Sequence, residues 1–342
     1  MIVLAVFLPV LLAQVAIAVC KADLETRIAI RIGSALTVLW MAPCWLWNDA
    51  PLPFDFLTLA PPWWPMRHWY VPISNNLLND PVLQLVPWRA AVRGALANLQ
   101  APFLNRFAAS GAPLWVNLQN AFAYPIEILA APFSGFAYQA FTMTAKYLIA
   151  FGGMYLFLKR RVGVSQLAAI FGATAFAFGV FSVAWVAFPI TNVTALLPLL
   201  LFALGELIER PTRTRFLFTL AVLLALFTGG HPESMLHVLL VAGGYVLFTA
   251  RTWPALLRTA TAVVLAALLA APLLLPFYRY LPHSQRMHDI RSSDLLLSHW
   301  STREAFPPFL VPNYFGNPRT QRYVYPANFN ELCTGYAGMA VL

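Results

Sequence analysis

Long apolar segments separated by short polar connections constrain this chain more than any other feature. Each is about long enough to cross a hydrocarbon core of ~30 Å as a helix. Only helices or closed barrels satisfy backbone polar groups in lipid, so the pattern predicts an all-α polytopic membrane protein. Eight such segments lie near 1–19, 30–47, 141–158, 165–186, 194–208, 215–230, 234–250 and 258–277.

Composition and charge support the membrane assignment and give it an orientation. Of the 342 residues, 60% are apolar and 10% are charged, whereas a soluble chain carries roughly 25% charged residues. Lys and Arg excess marks the cytoplasmic side, and the short loops 187–193 and 231–233 contain neither. The alternate connections carry Lys21, Arg27, Arg31, Lys159, Arg160, Arg161, Arg210, Arg213, Arg215, Arg251 and Arg258. The net charge of +9 is therefore topological, and we expect no nucleic-acid partner.

The same pattern divides the chain. We expect two transmembrane helices in 1–47, an extracytoplasmic loop with amphipathic helices in 48–140, and six transmembrane helices in 141–277. A second extracytoplasmic loop follows in 278–331. The apolar run 332–342 has about half the length of a crossing, so we expect it to start a further span that the sequence truncates. Segment 1–19 lacks the basic start of a signal peptide and is expected to remain as a helix.

The first loop is patterned for the membrane surface. It opens with prolines mixed with Trp63, Trp64, Trp69 and Tyr70, and aromatic residues of this density favour the headgroup region. A helix can begin at Asp80, with Asp80 as N-cap and a proline at the first helical position. Its apolar residues form a stripe opposite Gln84, Arg89 and Arg93, which is typical of a surface-lying helix. A second such helix is expected near 116–131.

Short motifs along the chain then suggest a family. They are Asp80-Pro-Val-Leu-Gln84-Leu-Val-Pro87, Pro102-Phe-Leu-Asn105, Gly111-Ala-Pro113-Leu, Asn117, Tyr124-Pro125, Gly230-His231-Pro232-Glu233, Asn313-Tyr-Phe-Gly316, Glu331 and Tyr336-Ala-Gly338. In this order they resemble the YfhO-type bacterial membrane proteins of the GT-C superfamily, over roughly 75–342. An extra span before the first large loop and the missing C-terminal part depart from that family.

The resemblance implies a GT-C-like helix bundle in the bacterial inner membrane. Its expected activity is sugar transfer from a polyprenyl-phosphate donor to a glycan, lipid or protein acceptor outside the cytoplasm. Inverting transfer needs a carboxylate that takes the acceptor proton, and Asp80 is the candidate base, with simple helix capping as the alternative. Gln84, one turn along, would orient it, unless it is merely a solvated helix position. The resemblance also places Asn117 among the substrate-binding residues.

Further candidates lie in other loops on the same predicted side. His231 and Glu233 form an ionisable pair between two apolar helices, which is a functional-site hypothesis in a membrane, although hydration alone would also explain them. We expect His231 to donate to a phosphate and Glu233 to serve as a second carboxylate. Glu331 is a third acid on that face. Together these groups could bind a divalent cation, but no spacing specifies one and no other cofactor is indicated.

The donor phosphate requires cations. Lys146, expected in the first turns of the third span, and Arg279, just outside the eighth, are the candidates, with snorkelling to the interface as the alternative for Lys146. A transporter or flippase would instead show broken helices and ionisable residues near the midplane. The sequence places little charge within the spans and gathers its acids at one face. A non-catalytic envelope-assembly protein would not need Asp80 at all.

Overall fold

A computed structural model of the chain describes residues 1–67, 78–108, 111–284, 287, 306–317, 320, 322–324 and 335–336. This part is mostly helical, and its strands form two short antiparallel ladders. Strand β1 (Leu104–Asn105) pairs with β2 (Ala112–Pro113), and β3 (Gly316–Asn317) pairs with β4 (Arg322–Tyr323). The predicted helical fold class is confirmed at this level. The expected span in 332–342 lies outside the described residues except for 335–336, and most of 278–331 lies outside them too.

The α-helices are numbered in chain order. They are α1 (Ile2–Val19), α2 (Leu24–Trp40), α3 (Ala42–Leu46), α4 (Val86–Ala97), α5 (Pro125–Ala130), α6 (Gly135–Phe157), α7 (Gln166–Ala177), α8 (Val180–Trp185), α9 (Pro189–Thr194), α10 (Leu197–Glu209), α11 (Arg213–Thr228), α12 (Pro232–Thr249), α13 (Trp253–Tyr280) and α14 (Pro307–Leu310). Short 3₁₀ turns span Phe54–Leu59, Trp64–Met66, Leu118–Asn120 and Leu281–His283, and π turns span Pro81–Leu85 and Leu158–Val162.

Five helical stretches of the described part are long and apolar enough to cross a membrane. They are Ile2–Val19, Gly135–Val162, Pro189–Glu209, Pro232–Thr249 and Trp253–His283, and each overlaps one expected segment. Of the other three segments, α2 and α11 have 17 and 16 residues and begin among charged side chains. The third segment, 165–186, is broken. The third span also starts earlier than expected, because α6 begins at Gly135.

Helices α6 and α10 form the centre of the bundle. Helix α6 packs against α1, α2, α7 and α10, while α10 packs against α6, α11, α12 and α13. The two central helices approach closely at Gly153, where an added Cβ would lie 2.9 Å from the backbone nitrogen of Leu199. A small residue at such a crossing lets two backbones come together. The bundle therefore has two groups of helices joined along one central contact.

One end of the bundle, here called the basic end, comprises the connections 20–23, 158–165 and 210–212. Ion pairs join them: Lys159 to Glu25, Arg160 to Asp23, and Arg161 to Glu209. Three of the connections that carry Lys and Arg thus lie together. That this end meets the cytoplasm remains a prediction.

The opposite end, here called the loop end, comprises the described residues of 47–134 with the turns 186–188 and 229–231. The loop packs onto the bundle at several points. Leu85 is buried against Trp185 and Phe188, and the indole N–H of Trp115 donates to the carbonyl of Pro272 at 3.0 Å. That carbonyl would normally bond to the N–H of residue 276 in α13, but Pro276 has no N–H. The loop thus supplies a donor that the helix lacks.

The segment 165–186 is not one helix, and our expectation of an unbroken span there was wrong. Helix α7 ends at Ala177, α8 begins after Gly179, and α9 begins at Pro189. Glycine weakens a helix interior and proline cannot continue one. Local hydroxyls satisfy carbonyls at the breaks, because Ser182 Oγ donates to Phe176 O at 2.8 Å.

Candidate functional site

The candidate base, Asp80, lies exposed at the start of the turn Pro81–Leu85. Its backbone is helical, with φ −53° and ψ −39°, and its side chain makes no N-cap hydrogen bond. The capping alternative is therefore not what the structure shows. Instead, Oδ1 of Asp80 accepts from Nε2 of Gln84 at 3.0 Å, as expected for neighbours one turn apart. The carboxylate is held in place by Gln84 and faces outward.

A buried ion pair lies further along the chain, where α4 follows this turn. Arg89 Nη2 and Glu127 Oε1 are 2.9 Å apart, and their side chains are 6% and 2% exposed. Arg89 Nη1 also donates to Gln139 Oε1 at 3.3 Å, and the Tyr138 hydroxyl donates to Glu127 Oε2. The Arg89 guanidinium stacks 5.7 Å from the centre of the Tyr138 ring. These contacts lock the loop helix α4 and the short helix α5 to the start of α6.

Sequence reasoning missed this pair. We assigned Arg89 to the polar, solvated side of α4, and that was wrong, since it is 5% exposed. The arginine is buried because the loop folds back on the bundle and gives it a carboxylate. The only sequence signal was Glu127, an acid two residues after Pro125 in an otherwise apolar stretch.

A small cavity adjoins the ion pair. Its polar lining includes Arg89, Arg93, Asn120 and Tyr138, and its volume is about 90 Å³. That volume suits a few water molecules and falls well below the ~300–1,000 Å³ of small-molecule sites. The cavity is therefore too small for a sugar.

Tyr124 contributes packing and not acid–base chemistry. It is fully buried beside the pair, at 1% exposure. Burial raises the pKa of Tyr124, and the nearby Glu127 carboxylate raises it further. The phenol thus stays protonated at neutral pH.

Buried polar side chains continue along α6 from the ion pair to the middle of the helix. They are Tyr138, Gln139, Thr142, Thr144 and Lys146. Lys146 lies at the middle of α6, with eleven residues of the helix on either side, and is 3% exposed. The expectation that it lies in the first turns of its span was wrong, because α6 begins earlier than the apolar run. Snorkelling is likewise not observed.

The Lys146 ammonium is bonded to the broken segment. Its Nζ donates to Val186 O at 2.7 Å and to Phe188 O at 3.0 Å. These carbonyls follow the end of α8, where a cation is favourable. The hydroxyl of Thr191 approaches Trp185 O at 2.8 Å and Phe188 O at 2.9 Å. The break is thus closed by one lysine and one threonine.

A third buried polar residue, Asn192, ties the break to the next turn. Its Nδ2 donates to Gly229 O at 2.9 Å, whereas its Oδ1 has no hydrogen-bond partner among the described residues. Asn192 is completely buried. Within the described part, the region around α9 therefore combines a buried cation with an unsatisfied acceptor.

The turns that carry Asn117 and His231 meet at the loop end. Gly230 has φ +92°, and a Cβ there would lie 2.7 Å from Leu118 O. His231 Nδ1 accepts from Ser234 N at 3.2 Å and caps α12, while Asn117 Oδ1 accepts from Gln119 N at 3.2 Å. Both side chains thus have structural roles that the sequence did not reveal.

The remaining candidates are placed separately. Glu233 is exposed in the first turn of α12, and Arg279 is exposed in the last turn of α13. Within the described residues, no hydrogen bond or ion pair joins Asp80 to His231, Glu233 or Lys146, since the Asp80 carboxylate bonds to Gln84. Glu331 lies outside them. No group of three or more His, Cys, Asp or Glu side chains in the described part could hold a metal ion, so the divalent cation stays an untested prediction.

Comparison with known proteins gives no family assignment, since no family model, no curated protein and no solved structure matches the chain.

Proposed function

We propose that this protein is a membrane glycosyltransferase that moves a sugar from a polyprenyl-phosphate donor to an acceptor outside the cytoplasm. The observation that carries the proposal is the state of Asp80. Its carboxylate is exposed, is not used as a helix cap, and is oriented by Gln84. A general base must be accessible to the acceptor hydroxyl and held in place. The donor class in this proposal, a sugar on a polyprenyl phosphate, comes from the resemblance to the YfhO-type proteins described above.

The membrane setting of this proposal rests on the apolar helices. The surfaces of α12 and α13 expose many large aliphatic side chains, which suit contact with lipid. Examples are Leu236, Leu240, Leu247, Val264, Leu268 and Leu269. We place the loop end at the extracytoplasmic face because the basic end carries the Lys and Arg excess. The proposed compartment is the bacterial inner membrane.

The roles of the other candidates change with their positions. Lys146 gives its donors to two carbonyls, so we no longer propose it as the phosphate ligand. Arg279 is exposed and has no ion pair with any described residue, and it remains the proposed cation for the donor phosphate. Glu233 remains the second carboxylate in this proposal. His231 would act mainly by holding the turn that carries Glu233.

Replacing Asp80 tests the proposal directly. Asp80→Asn keeps an acceptor for Gln84 but removes the base, so transfer from polyprenyl-phosphate-linked hexoses should fall about 10²–10⁴-fold with unchanged thermal stability. Asp49→Asn, which alters an exposed carboxylate at the same end, is the matched control and should keep full activity. Gln84→Ala should lose less turnover than Asp80→Asn. Near wild-type transfer by the Asp80 variant would exclude Asp80 as the base.

A specific observation also favours a transporter or flippase. A buried lysine at the middle of α6 beside a broken helix is the arrangement expected of a transport pathway. In proteoliposomes, Lys146→Met should stop lipid translocation under this second function, whereas Asp80→Asn should leave it intact. The glycosyltransferase proposal instead predicts that Asp80→Asn strongly lowers sugar transfer. A non-catalytic assembly protein would respond to neither change in either assay.

A further inference from the structure

A large cavity lies between α1, α6, α10 and α11 at the basic end. Its volume is about 730 Å³, within the ~300–1,000 Å³ typical of ligand sites. Its apolar walls include Ile17, Leu156, Leu199, Phe202 and Phe218. Neither the proposed transfer reaction nor the loop end uses it.

Charged residues line the same cavity where the connections of the basic end meet. They are Arg160, Arg210, Arg215, Glu206 and Glu209. The carboxylates are already neutralised, because Glu206 pairs with Arg215 at 3.0 Å and Glu209 pairs with Arg161 at 2.6 Å.

One positive charge is left over. Arg160 pairs with Asp23, whereas the Arg210 side chain makes no ion pair with any described residue. This end of the bundle thus has four guanidinium groups, those of Arg160, Arg161, Arg210 and Arg215. Their partners are three carboxylates, those of Asp23, Glu206 and Glu209. The mouth of the cavity has the charge that one phosphodiester would balance.

We propose that this cavity binds an anionic phospholipid, with its phosphate at Arg210 and Arg215 and its acyl chain between the apolar walls. Arginine presents several donors to phosphate oxygens. Basic pockets between transmembrane helices on the cytoplasmic side are suited to anionic headgroups, and the cytoplasmic leaflet is rich in anionic lipid. The site does not depend on the glycosyltransferase function. A polyprenyl phosphate shares the same chemistry, and the experiment separates the two.

The test measures lipid retained by the purified full chain after exchange into nanodiscs of defined composition. Phosphatidylglycerol should be retained in preference to phosphatidylcholine. Arg210→Gln removes the unpaired cation, worth ~1 kcal/mol near the surface, so retention should weaken about fivefold. Arg213→Gln changes an exposed residue at the start of α11 that does not line the cavity, so this variant is the matched control and should retain lipid normally.

A second pair of variants tests whether the apolar walls of the cavity hold the acyl chain. Ala16 is an exposed α1 residue that lines the cavity, and Ala18 is an exposed neighbour that does not. Ala16→Phe should displace the acyl chain and lower retention, whereas Ala18→Phe should not. Equal retention of both phospholipids, or no effect of Arg210→Gln, would overturn the proposal. Preferential retention of polyprenyl phosphate over phosphatidylglycerol would also overturn it, by assigning the site to a carrier lipid.

Discussion

The two ends of the helix bundle are both held by ion pairs, but the pairs differ in burial. At the basic end, Arg160 and Asp23 are each 46% exposed. At the loop end, Arg89 and Glu127 are 6% and 2% exposed. Exposed pairs contribute little, because water and salt screen them, whereas a buried charge without its partner is strongly unfavourable. The loop end should therefore be sensitive to a single change at Glu127, whereas the basic end should tolerate one at Arg160.

The largest expected effect is at Glu127. Glu127→Ala leaves the Arg89 guanidinium buried without its carboxylate and should destabilise the protein by about 3–5 kcal/mol. Thermal unfolding in detergent would measure this. The control is the double variant Arg89→Met with Glu127→Leu, which removes both charges and should recover most of the stability. A single variant as stable as wild type would show that water reaches the pair.

This pair also shows what the sequence could not reveal. Apolar length and Lys and Arg placement predicted a helical protein, five of the helical stretches, and the shared position of three basic connections, because each depends on local composition. The burial of Arg89 depends on tertiary contacts with Glu127 and Gln139, which are 38 and 50 residues away. No local pattern contains that information.

The candidate site likewise contains one contact that the sequence predicts and one that it does not. The contact between Asp80 and Gln84 follows from helical spacing and was predictable. The position of Lys146 was not, since its partners at Val186 and Phe188 exist only because the segment 165–186 breaks. The hydropathy of the sequence does not reveal such a break, because the residues on both sides of it are equally apolar.

Replacing one glycine at each end would compare the backbone strain of the two ends. Gly230 at the loop end has φ +92° and neighbours within 3 Å of an added Cβ, whereas Gly163 at the basic end has φ +81° and open space. Gly163→Ala should cost about 1–2 kcal/mol for the left-handed backbone alone. Gly230→Ala adds a clash with the backbone of Leu118, so its cost should reach about 3 kcal/mol. Equal melting temperatures for the two variants would show that the 117–121 turn yields freely.

A smaller effect is expected at Trp115. Trp115→Phe keeps the ring but removes the donor to Pro272 O, which should cost about 0.5–1.5 kcal/mol. Pro276→Ala restores an N–H that can bond to the same carbonyl within α13, so the tryptophan should matter less in that background. A double-mutant cycle on thermal stability measures this coupling. Strictly additive effects would mean that the two donors do not share the carbonyl.

The smallest expected effect is at the exposed pair of the basic end. Arg160→Gln should change stability by only about 0.2–1 kcal/mol, and the change should vanish in high salt. Asp23→Ala should cost more, about 1 kcal/mol, because Asp23 also caps α2 by accepting from Thr26 N at 2.9 Å.

The pH dependence separates these two contributions of Asp23. The nearby Thr26 hydroxyl and the hydrogen bond from the Thr26 backbone N–H, with a further contribution from Arg160, hold the pKa of Asp23 below its usual value of 3.8. The carboxylate therefore stabilises the fold above that usual value, and this contribution is lost as the pH falls through the lowered pKa. The stability difference between wild type and Asp23→Ala should shrink on acidification below about pH 4. The difference between wild type and Arg160→Gln should shrink too, but from a smaller starting value. If Arg160→Gln instead proves as damaging as Glu127→Ala, exposure does not set the difference between the two ends.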